Sequence, residues 1–118
     1  MNLDQLKNDV SAYFESGQYR PARDIFVLHG ARQCCGLSAA CLLAGRTLPD
    51  DAGDALSAIW EFVGDHYGMT QHEMSAFIGG WDWRPGGWYE PGDKLRDAFE
   101  LGRSLARQYF PEFPQEGS

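Results

Sequence analysis

Most of the short motifs that announce a chemistry are missing from this chain. Its 3 cysteines include no CxxC pair, which removes zinc knuckles and thioredoxin-like redox motifs. His72-Glu73 does not open an HExxH zinc motif, because position 76 is alanine. Gly79-Gly80 and Gly86-Gly87 carry no GKS or GKT, so neither pair is a phosphate loop. Only 3 histidines are present, and no His/Cys pair has the i, i+3 or i, i+4 spacing of metal ligands on a helix. No metal or cofactor is expected.

Long apolar runs are missing too. None approaches the roughly 18 residues of a membrane span. The opening MNLDQLKNDV lacks the basic start and apolar run of a signal peptide. The expected protein is cytoplasmic, without membrane contact, and keeps its thiols reduced.

Basic residues are absent from one long stretch. Between Thr47 and Trp83 there is no Lys or Arg, while Asp50, Asp51, Asp54, Glu61, Asp65, Glu73 and Asp82 all fall there. The other acids and bases cancel, so the net charge of -7 belongs to this segment. A surface of this kind favours solubility, repels nucleic acid and attracts basic protein partners. The basic residues are scattered in sequence, so a nucleic-acid groove lacks its footprint.

What remains is enough for one domain. The chain has 118 residues, 43% of them hydrophobic and 14% aromatic, ample for a packed core and too few for two. Residues 1–110 are expected to form the domain, with 111–118, which hold two prolines, extended or frayed.

The patterning is helical. Leu3, Leu6, Val10, Tyr13 and Phe14 form one apolar stripe, and Leu56, Ile59, Trp60, Val63 and Tyr67 form another. Thr70 and Glu73 make a capping box flanked by Met69 and Met74 as a hydrophobic staple. That helix is expected to stop at Gly79-Gly80. A last helix spans Asp93–Phe110, where Arg96 and Glu100 lie four apart and can pair. Pro21–His29 fits a helix or a short buried strand at Ile25–Leu28. Helix is favoured, because a lone strand has no partner for its backbone groups.

Ala31–Gly45 is apolar, small or weakly polar all round, with one charge in fifteen residues. Such a helix belongs inside others. The predicted fold is all-α: a compact bundle of five helices around this central one, or six if Gly30 separates off Pro21–His29.

Two places could carry function. Cys34, Cys35 and Cys41 lie on the central segment. On a helix, Cys34 and Cys41 are about 10 Å apart, too far for a disulfide. Their plain reading is small buried hydrophobes. A nucleophilic role needs a base, and His29 is the nearest in sequence. The second place is WDWRPGGWYEPG, Trp81–Gly92, which holds three of the 4 tryptophans. Such a loop can close the open end of a bundle, each ring burying about 150–250 Å². Trp, Tyr and Arg are also the residues enriched at binding hot spots.

The sequence therefore points to a non-enzymatic module that self-associates or binds a protein partner through Trp81, Trp83, Arg84, Trp88 and Tyr89. The alternative is a small-ligand binder or cysteine-dependent enzyme using Cys34 or Cys35 with His29.

Overall fold

Side chains at the helix starts satisfy backbone N–H groups that have no partner within the helix, and so mark where the helices begin. In the computed structural model, which describes residues 1–85 and 89–112, Asn2 accepts from Gln5 N at 3.1 Å and opens α1 (Leu3–Glu15). Asp51 accepts from Asp54 N at 3.0 Å and opens α3 (Ala52–Tyr67). Thr70 and Glu73 complete both halves of the capping box at the start of α4 (Gln71–Trp81), at 3.1 and 2.8 Å. Met69 and Met74 are both buried beside it, as a staple requires. Asp93 accepts from Leu95 N at 2.7 Å and opens α5 (Lys94–Tyr109). On its wet face Arg96 and Glu100 pair at 2.8 Å.

The segment between α1 and α3 departs from the all-α expectation. Arg20–Pro21 (β1), Val27–Leu28 (β2) and Gln33–Cys34 (β3) form a three-stranded sheet in the order β1-β3-β2. Strand β3 pairs parallel with β1 and antiparallel with β2. Arg20 N donates to Arg32 O at 2.8 Å and Ala22 N to Cys34 O at 3.0 Å. Pro21 lies between these donors on an edge strand, so its missing N–H leaves no gap in the ladder.

Pro21–His29 is therefore not a helix. Its strand at Val27–Leu28 finds a partner in Gln33–Cys34, a segment whose composition resembles the central helix. Ala31–Gly45 is likewise not one helix. Arg32 has a left-handed φ of 52° and the next two residues are extended, so α2 runs only over Gly36–Leu43. Five helices are found among the described residues, together with this small sheet.

The shortened α2 still occupies the interior, with Gly36 through Cys41 all buried. Its first residue passes against α4: a Cβ at Gly36 would lie 3.0 Å from the Phe77 ring. Helices α4 and α5 meet more closely still. A Cβ on Gly80 would stand 2.0 Å from Phe99 O, and one on Gly102 would stand 2.2 Å from Phe77 O. The two backbones touch, each glycine opening the space that the other helix fills. For that reason α4 runs through Gly79-Gly80 to Trp81 rather than stopping there: this glycine is a contact, not a terminator.

The chain is compact, with a radius of gyration of 13.2 Å, as expected for a folded domain of this length. Helix α5 closes at Tyr109, and Pro111 and Glu112 turn away after it. The expectation for the rest of the tail, 113–118, lies outside the described residues. No helix among the described residues is long and apolar enough to cross a membrane.

Candidate functional site

Helix α4 ends in a Schellman motif, in which two turned-back N–H groups satisfy the last carbonyls. Arg84 N donates to Gly79 O at 2.8 Å and Trp83 N to Gly80 O at 3.1 Å. The motif requires a left-handed residue after the cap, a position where glycine is usual. Here it is Trp83, with φ 63°. A side chain in that conformation costs about 1–2 kcal/mol. The indole is held by cations on α5: the Arg103 guanidinium lies 4.4 Å from its centre and that of Arg107 5.9 Å. Arg103 Nη2 also donates to Arg84 O at 3.0 Å, tying the turn to α5. The Arg103 Nε is buried without a hydrogen-bond partner among the described residues, and its guanidinium also stacks over Phe99 at 4.9 Å.

The predicted contact residues divide at this point. Trp81 is not on a loop: it is the last residue of α4 and fully buried. Its ring lies parallel to Phe14 and Phe77, 6.0 and 6.4 Å away, and its indole N–H donates to Ala22 O at 2.7 Å. It is a core residue because the α4 backbone continues past Gly80 into the bundle. Trp83 and Tyr89 are half-buried, the latter against Phe99 with ring centres 5.4 Å apart. The Arg84 side chain is 67% exposed. Trp88 lies outside the described residues.

Beside this turn runs a mostly apolar groove of about 530 Å³, lined by Phe26, Leu56, Trp60, Ile78, Tyr89 and Phe99, with Arg84 on its rim. It adjoins a smaller recess of about 300 Å³ that shares Phe26, Ile78 and Arg84 and adds Asp24, Cys35 and Asp82. The Asp82 carboxylate is nearly buried. It accepts from Asp24 N at 2.9 Å and lies 4.0 Å from the Arg84 guanidinium. Burial outweighs these favourable contacts and raises its pKa above the ordinary aspartate value. Asp24 is itself left-handed, with φ 62°, so two strained residues flank this carboxylate in space.

The cysteine alternative finds a different geometry. Cys34 is in the central strand and fully buried, and Cys41 is fully buried in α2. Cys35 caps α2, with its sulfur 3.3 Å from Ser38 Oγ. All three are free thiols, and burial raises their pKa values, that of Cys41 to about 12. Burial therefore favours the thiol form over the nucleophilic thiolate. His29 is engaged elsewhere: its Nε2 donates to Leu48 O, which leaves Nδ1 to accept from Tyr19 OH. No hydrogen bond joins it to a cysteine among the described residues. Nor do those residues contain a cluster of three or more His, Cys, Asp or Glu that could hold a metal ion.

The residues that sequence reading missed are Arg103 and Arg107. Their signal was present, two cations four apart on α5 next to its apolar stripe. Without the Schellman turn, nothing in the sequence placed Trp83 against them. Comparison with protein-family models, curated proteins and solved structures finds no match to this chain.

Proposed function

We propose that this protein is a non-enzymatic interaction module whose contact surface is the Trp83–Arg84 corner at the end of α4. The observation that carries the reading is Trp83 itself. A large aromatic occupies a backbone position that glycine fills without strain, and the neighbouring arginines hold its ring in place. Unfavourable backbone conformations persist where a fold over-determines them, and they concentrate at functional positions. Tryptophan and arginine side by side also form the usual chemistry of a binding hot spot.

Trp83→Gly separates function from folding, because glycine relieves the left-handed strain while removing the ring. Tagged wild-type protein in an extract of its source cells should elute in a complex larger than 13.2 kDa. The glycine variant should elute as the free chain, with an unchanged helical circular dichroism spectrum. Wild-type protein eluting as the free chain, or a variant that remains in the complex, refutes the reading.

A second reading, a small-ligand binder or cysteine-dependent enzyme, is favoured by one observation: Cys35 lines the recess that also holds Asp24 and Asp82. Rapid labelling of Cys35 by a disulfide reagent in the native protein would support it, and labelling only on unfolding would refute the cysteine-dependent form.

A further inference from the structure

The fold gathers basic residues that are dispersed in sequence. Arg103 and Arg107 face Trp83, and Arg103 also bonds the main-chain oxygen of Arg84, so three arginines from two elements meet at one corner. Asp82, whose carboxylate lies 4.0 Å from the Arg84 guanidinium, is nearly buried.

The acids of α3 are arranged in the opposite way. Asp54, Glu61 and Asp65 are exposed and recur at intervals of seven and four residues, so they share one helix face. Asp50 and Asp51 extend the exposed acidic run at the helix start. Asp50 accepts from His29 N, and Asp51 is occupied as the cap. No hydrogen bond or ion pair engages Glu61 or Asp65 among the described residues. Arg46, stacked 5.2 Å over Phe62, lines the same recess as Glu61, Asp65 and His66.

These two patches point away from one another. Leu56 and Trp60 of α3 line the groove beside the Trp83 corner. At 100° per residue, the Asp54–Glu61–Asp65 face is turned roughly 140° from them. A chain cannot bring this acidic face onto its own Arg84, Arg103 and Arg107, but a second copy can.

The geometry points to head-to-tail self-association, in which the Trp83–Arg84–Arg103–Arg107 corner of one copy receives the Asp54–Glu61–Asp65 face of another. This rests on the interaction reading above and names its partner as this same chain. The carboxylates meet the exposed Arg84 guanidinium, with Arg103 and Arg107 adding positive charge at the same corner. The contact joins unlike patches, so it is heterologous: each copy keeps one patch open, and association continues into rings or chains rather than ending at a twofold dimer.

Charge-swapped pairs of purified protein test it by sedimentation velocity. Wild type should show a weight-average mass that rises with concentration in 50 mM NaCl and falls back in 500 mM. R84E/R107E and E61K/D65K should each associate at least tenfold more weakly alone, since every patch then meets its own sign. Mixed in equal amounts the two should associate again, because each restores the other's complement. A wild type that stays monomeric, either variant associating like wild type, or a mixture that stays monomeric overturns the proposal. So does a wild type that binds single-stranded DNA through these arginines without self-associating. If the charge swaps fail while a Trp83-dependent complex persists in extracts, only the identity of the partner falls.

Discussion

Replacing Gly80 or Gly102 with alanine should break the α4–α5 contact, whereas the same change at Gly79, one residue away, should not. The added Cβ would stand 2.0 Å from Phe99 O at Gly80 and 2.2 Å from Phe77 O at Gly102, where ordinary contact begins at 3.4 Å. The obstacles are backbone carbonyls, so no rotamer change relieves them and the helices must separate by more than about 1 Å locally. A gap of 0.5–1 Å forfeits roughly a quarter to a half of each dispersion contact it opens. The rings of Phe77, Trp81 and Phe99 lie along this seam. Overpacking of this kind costs about 1–3 kcal/mol or more, and a rigid obstacle belongs at the upper end. Alanine returns up to about 1 kcal/mol in helix propensity. The net expectation is a loss of about 2–3 kcal/mol for either variant, a fall in Tm of about 10 °C for a chain of this size. Gly79→Ala would meet only the Phe99 ring at 3.9 Å, and should gain up to about 1 kcal/mol. Urea unfolding followed by far-UV circular dichroism measures all three. Gly102→Ala matching wild type, or Gly79→Ala losing as much as Gly80→Ala, would refute the backbone contact.

Two further outcomes are expected. Asp82 has a folded-state pKa raised by burial, so the folded state holds its proton more tightly than the unfolded state does. Its contribution to stability is therefore greatest at acid pH and declines as pH rises from the ordinary aspartate value through the raised one. Asp82→Asn keeps an oxygen for Asp24 N and removes the titration, so the stability of the variant relative to wild type should rise across that window in urea melts. A difference that is flat with pH would show the carboxylate is not perturbed. The thiols should react slowly with a chromogenic disulfide reagent at pH 8 in the native protein and fast in urea, since all three are buried. Rapid native labelling of Cys35 would instead favour the cysteine-dependent reading.

The elements with strong local signals were legible in the sequence. Helices α3, α4 and α5 carry apolar stripes, capping side chains and, for α3, a left-handed Gly68 at the end. Each signal lies within a few residues of what it specifies. The sheet has no such signal, because strands of two residues are too short for alternation to register. Cys34 looks helical in composition because its neighbours are small and apolar, yet its backbone groups are committed to strands on both sides. The glycines misled for a related reason: Gly80 resembles a stop locally and is a contact only through α5. The site was half legible. Trp83 and Arg84 stood out by residue type, but the arginines that frame them arrive from α5, about twenty residues away.

The bond from Asp24 N to Asp82 and the bond from the Trp81 indole to Ala22 O span 58 and 59 residues of chain. Both close the same loop. Bringing the ends of such a segment together costs about 3–4 kcal/mol of chain entropy beyond a constant. Whichever bond forms first bears that cost, and the second forms between ends already held together. In folding, the joining of the β1–β2 turn to the end of α4 therefore belongs late, after α4 and α5 have paired through their local contacts. In the folded protein the same economy makes the two bonds mutually redundant. Losing either one leaves this turn tied to the end of α4, and losing both leaves the sheet held by its buried Val27 and Cys34 and by the bonds of His29 to Leu48 and Asp50.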